Sequence, residues 1–153
     1  LLIVESSRNV RQARKGMGND RLSRMVSHPW TATALVALGS ALGGVARFWM
    51  TTVVGHVTGP GFPWGTVSVN VIGSALIGAV MGHYADPLKP GAVAAQQFVA
   101  VGVLGGFTTF SSFSLQTLIL MRDGEWFAAA GNALGSVVVC VIATWAGFEA
   151  AAR

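Results

Sequence analysis

Four runs of mostly apolar residues, at 31–57, 64–85, 93–122 and 126–150, leave almost no chain between them. A helix needs about 20 apolar residues to cross a hydrocarbon core, and each run is long enough. Lipid offers the backbone no hydrogen bonds, so a spanning run must pair its own amides and carbonyls as a helix. The connections are Gly59-Pro60-Gly61-Phe62-Pro63, Asp86-Pro87-Leu88-Lys89-Pro90 and Arg122-Asp123-Gly124-Glu125, turn clusters too short to hold a soluble domain. The pattern predicts an all-α membrane protein of four transmembrane helices. Charged residues make up only 10% of the chain, against roughly a quarter in soluble domains, and the mean hydropathy is +0.59.

The third run is interrupted. Residues 105–113 read Gly-Gly-Phe-Thr-Thr-Phe-Ser-Ser-Phe, small and hydroxyl-rich between two apolar halves. Backbone that leaves the helix at membrane depth is tolerated where it faces protein, water or an ion. A third helix broken mid-membrane is therefore expected, in a chain that moves or binds something small and charged.

Small residues recur along the other runs: Gly39, Ser40, Gly43 and Gly44 in the first; Gly73, Ser74, Gly78 and Gly82 in the second; Gly131 and Gly135 in the fourth. Such stripes let helix backbones approach closely, because packing drives association in lipid. The fourth run also carries Asn132, Ser136, Cys140 and Thr144 at steps of four, close to one face of a helix. Trp30, Trp49, Trp64, Tyr84 and Trp126 fall near expected span ends, where amphipathic rings sit at headgroup level.

The chemistry is limited by what is missing from the spans. Every Asp and Glu lies in the leading tail, in a turn or among the last few residues. A proton-coupled pump needs a carboxylate at depth, and a cation pore lined by acidic rings needs several. His28, His56 and His83 have no cysteine or acidic partner at ligand spacing. Cys140 is the single cysteine, so no intrachain disulfide forms. No nucleophile–base pair, phosphate loop or cofactor motif occurs, so no enzyme is expected. What remains at depth is Arg47, Asn70, the hydroxyls of 108–114 and the row on the fourth helix. These groups are nearly all neutral and include hydrogen-bond donors, which suits a dehydrating anion better than a cation. Phe110 and Phe113, three apart, share a helix face. Their positive ring edges could line an anion path, or both rings could simply pack.

Residues 1–27 carry Arg8, Arg11, Arg14, Lys15, Arg21 and Arg24 against Glu5 and Asp20, which accounts for the whole net charge of +4. Residues 1–30 are read as a basic, flexible tail and 31–153 as the membrane domain. Such a tail fits a cytoplasmic flank, a lipid-headgroup or nucleic-acid binder, or sequence ahead of a start at Met17 or Met25. The flank and start-site readings are preferred, so no nucleic-acid partner is expected.

Three blocks carry a resemblance. They are Gly43-Gly44-Val45-Ala46-Arg47, then Gly65-Thr66-Val67-Ser68-Val69-Asn70-Val71-Ile72-Gly73, then the 105–113 segment. In this order and on these spans they resemble the signature blocks of the CrcB/Fluc fluoride channels, over about residues 31–150. The resemblance implies a four-helix subunit of a bacterial plasma membrane that pairs antiparallel, in dual topology, with a second copy of itself or an oppositely oriented homologue. It implies a fluoride path through Phe110, Phe113, Asn70, Thr109 and Ser136, with Asn132 and Cys140 as weaker members. Arg47 would stand at an aqueous vestibule, or else snorkel beside Trp49. A structural sodium ion would sit at the dimer centre on the main-chain carbonyls of Gly105 and Thr108. Passive export of cytoplasmic fluoride, lowering its toxicity, would follow. The alternatives are a small multidrug-type transporter, which needs an intramembrane glutamate the first span lacks, and a non-conducting membrane partner subunit. Without the tail, Lys89 and Arg153 oppose Arg122 almost evenly, as dual insertion requires; with it, the amino terminus should stay inside.

Overall fold

The computed structural model describes residues 29–85 and 92–152. The expected basic tail through His28 and the expected turn at 86–90 lie outside the described residues. Everything described is helix or short turn. Helix α1 spans Pro29–Thr58 and α2 spans Trp64–His83. Helix α3, residues 92–107, is a composite: an opening turn Ala92–Ala95, a wide π-helical stretch Gln96–Leu104 and a closing turn Gly105–Phe107. Helix α4 is Phe110–Arg122. Helix α5, Trp126–Ala151, widens to a π turn over Gly131–Gly135. Among the described residues four stretches, with α3 and α4 together as one, are long and apolar enough to cross a membrane. They match the four apolar runs of the sequence to within two residues at each end.

Turn chemistry sets the helix ends. Proline at the head of α1 has no amide to leave unpaired. Gly59 closes α1 at φ +77°, its amide returning to the Gly55 carbonyl at 3.0 Å. At the end of α4, Gly124 takes φ +81°. There the Glu125 amide reaches the Leu120 carbonyl (2.9 Å) and the Gly124 amide reaches Met121 (3.2 Å). That pair of bonds is a Schellman cap, which needs a left-handed residue and so favours glycine.

The compact unit begins at Ala34. Within it, two helix crossings run backbone to backbone. A methyl added at Gly39 would meet the Phe98 carbonyl, one at Gly43 the Val103 carbonyl, and one at Gly106 the Ser40 carbonyl at 2.6 Å. These residues seat α1 on α3. The second crossing joins α2 to α5: Gly78 lies against the Thr144 carbonyl, Gly82 against Phe148, and Gly147 against Ala75. Few large apolar side chains are buried. Val69, Leu104 and Phe107 are, whereas Leu38, Leu42, Val53, Leu76, Leu118, Val138, Val141 and Ile142 face outward. Apolar outside and glycine inside is the arrangement expected where lipid is the solvent.

Candidate functional site

The helical path stops at Thr108 and Thr109. Both residues are extended, at φ −79°, ψ 159° and φ −152°, ψ 112°. Helix resumes at Phe110. In an unbroken helix the Thr109 amide would bond to the Gly105 carbonyl and the Ser112 amide to the Thr108 carbonyl. Here both amides are diverted. Thr109 N–H donates to Asn70 Oδ1 at 2.8 Å, and Ser112 N–H donates to Thr109 Oγ1 at 3.2 Å. The second bond makes Thr109 the side-chain N-cap of α4, a role its hydroxyl suits. Asn70 completes its hold on the same residue by donating Nδ2–H to the Thr109 carbonyl at 3.1 Å. One side-chain amide from α2 thus takes both main-chain groups of Thr109, which is 6% exposed. The Thr108 side chain turns back, its hydroxyl donating to the Leu104 carbonyl at 2.9 Å.

Beside this segment is an open groove of about 310 Å³. Asn70, Gly105, Thr108, Thr109, Phe110, Phe113, Ser136 and Cys140 all line it, with Leu104, Ile77 and Val137 as its apolar wall. Phe110 and Phe113 stand 5.3 Å apart between ring centroids, tilted by 42°. Phe110 is 75% exposed in the single chain. The groove therefore brings together residues of α2, α3, α4 and α5 that the sequence separates by up to 70 positions. Its chemistry is hydroxyls, one amide, freed carbonyls and aromatic edges, with no carboxylate.

Arg47 lines no part of this groove. It is half-buried on α1, one turn before Thr51, whose hydroxyl donates to its carbonyl at 2.8 Å. Thr51 borders a second groove, of about 260 Å³, together with Thr66 and Gln116. Gln116 Oε1 is buried there with no hydrogen-bond partner. Gln116, the one side-chain amide on α4, was not among the polar residues singled out from the sequence, and its residue type is the signal that could have found this second pocket.

Asn132 also lies outside the main groove, completely buried behind Ser136. Its Nδ2–H donates to Thr117 Oγ1 at 2.8 Å. Thr117 in turn donates to the Phe113 carbonyl at 2.8 Å, and Ser136 Oγ donates to Asn132 Oδ1 at 3.3 Å. Thr117 has no forewarning in the sequence, where one threonine in an apolar run reads as a packing residue. Among the described residues no three His, Cys, Asp or Glu side chains gather where they could hold a metal.

The profile of the family described as "CrcB-like protein, Camphor Resistance (CrcB)" matches residues 34–148. Named relatives agree with it. A "Fluoride-specific ion channel FluC" of Opitutus terrae is 52% identical over 118 residues, covering 76% of this chain and 89% of its own. One of Paramagnetospirillum magneticum is 48% identical over 124 residues, covering 77% and 93%. One of Methylocella silvestris is 54% identical over 115 residues, covering 73% and 86%.

Proposed function

The chain belongs to the CrcB-like family, and from that premise we propose that it is a fluoride-selective ion channel of the bacterial cell membrane, not an enzyme. The observation that carries the reading is the convergence of Phe110, Phe113, Asn70, Thr109 and Ser136 on one groove without a carboxylate. Fluoride is small and strongly hydrated, so a selective path must replace its water with hydrogen-bond donors and positive ring edges in a narrow space. Phe110 and Phe113 would present their edges. Ser136 and the second amide hydrogen of Asn70 would donate. Outside the cell in acid, HF crosses the bilayer uncharged and ionises in the more neutral cytoplasm. A passive conductance then lets the membrane potential drive the anion out.

Residues 31–153 would form the channel domain, with the interruption at Thr108–Thr109 lying at mid-depth. The groove is open on one side and Phe110 largely exposed, which supports a path completed by a second subunit inserted the opposite way up. That subunit would be another copy or an oppositely oriented homologue. The carbonyls of Gly105 and Thr108, relieved of their usual helical amides, fit a hard cation that prefers oxygen ligands. A sodium ion there, shared with the partner across a two-fold axis, would hold the assembly together and would not be transported. Arg47, one turn from the second groove, would gather anions near its mouth.

The purified chain in liposomes loaded with potassium fluoride tests this reading. After a potassium ionophore is added, a fluoride electrode should record rapid release, with no matching release of chloride from chloride-loaded vesicles. Folded protein that releases no fluoride, alone or with an oppositely oriented homologue, overturns the reading.

A further inference from the structure

The buried chain Ser136–Asn132–Thr117–Phe113 has a fixed direction. A carbonyl oxygen only accepts, so the Thr117 hydroxyl must give its proton to the Phe113 carbonyl, 2.8 Å away. Thr117 Oγ1 can then only accept from Asn132, which sets the Asn132 amide with its NH2 toward Thr117 at 2.8 Å. Oδ1 is left facing Ser136. The one proton of the Ser136 hydroxyl points at that oxygen, 3.3 Å away. Ser136 also lines the groove, so with its proton engaged it has only lone pairs left to offer there. An anion arriving beside Ser136 meets oxygen until the hydroxyl rotates away from Asn132.

We propose that Asn132 is a counter-ligand in the conduction path: it competes with the passing anion for the Ser136 proton and so keeps the site shallow. The inference rests on the channel reading above. Conduction needs binding favourable enough to admit the ion and weak enough to release it. At 3.3 Å the Ser136–Asn132 bond is long for a hydroxyl donor, so fluoride can displace it. The same bond re-forms as the ion leaves. Because rotation away from Asn132 is equally unfavourable for every anion that takes the proton, Asn132 sets how tightly the ion is held and not which ion is chosen. Neither Asn132 nor Thr117 lines the groove, so both act through Ser136.

The test measures fluoride flux against fluoride concentration for the full chain in liposomes. Asn132→Leu removes the competitor. Thr117→Val lets the Asn132 amide turn over and donate to Ser136 Oγ, freeing the Ser136 proton with Asn132 still present. Both variants should lower the half-saturating fluoride concentration by about three- to tenfold, the worth of one weak hydrogen bond. Maximal flux should fall with it. Mere structural damage would lower flux without tightening half-saturation. In a Ser136→Ala background neither change should move half-saturation. If Asn132→Leu does not fold, Thr117→Val alone decides. A half-saturation that stays or rises in a conducting variant overturns this inference and leaves the channel standing. Wild-type protein that passes no fluoride overturns both.

Discussion

Replacing Asn70 by leucine removes the one side chain that holds the Thr109 peptide. The amide makes two bonds to it, from Thr109 N–H at 2.8 Å and to the Thr109 carbonyl at 3.1 Å. Thr109 is 6% exposed, so water cannot take over the amide. A buried donor left without a partner is unfavourable by about 1–3 kcal/mol, and a lost bond to a carbonyl by about 1 kcal/mol more. The variant should therefore be destabilised by about 2–4 kcal/mol. For a chain of this size that corresponds to a melting midpoint lower by about 5–15 °C. Thermal unfolding in detergent, followed by the fraction surviving on a sizing column, measures it at fixed protein and sodium concentrations, since both would bias the proposed assembly. Fluoride release should fall in parallel. An Asn70→Leu protein as heat-stable as wild type, yet non-conducting, would refute the clamp. Asn70 would then serve the anion alone.

Three further outcomes are expected. Phe110→Ile with Phe113→Ile should cut fluoride release at least about tenfold, the scale of one lost aromatic interaction. The melting midpoint should change little, because Phe110 is mostly exposed in the single chain and Phe113 only half-buried. Gly78→Ala and Gly147→Ala should each destabilise by about 1–3 kcal/mol through overpacking, since the new methyl meets the Thr144 or Ala75 carbonyl. Gly44→Ala, which has open space around it, is the control and should melt as wild type does. Exchanging sodium for a large organic cation should lower the melting midpoint and shift the chain toward monomer on a sizing column. An unchanged profile would remove the proposed cation from the Gly105 and Thr108 carbonyls.

The helix ends were legible because apolar run length, proline and glycine are all local signals. Glycine stripes likewise announced close crossings, although not which helices would meet. The extended residues at Thr108 and Thr109 fall within the hydroxyl-rich insert that marked the site. Partners were less accessible. A side-chain amide such as Asn70 can serve an ion or a peptide group equally well by type, and only the fold brings Thr109, 39 positions away, within its reach. Asn132 shows the same limit from the other side. Its step of four from Ser136 put the two near one helix face, and they do meet, but at a π turn spanning Gly131–Gly135 Asn132 is completely buried and lines no part of the groove. Residue preferences do not separate such wide turns from ordinary helix.

Interrupting a helix also divides its dipole. Aligned peptides leave about half a negative charge at a helix C-terminus and about half a positive charge at an N-terminus. At Thr108–Thr109 the negative pole of α3 and the positive pole of α4 are parted by two residues. In a continuous span these poles would cancel. Opened here, on the proposed channel reading, they would place attraction for a cation and attraction for an anion side by side in a medium too apolar to screen either. A single local change of backbone direction would thereby serve both proposed ions without a charged side chain at either one.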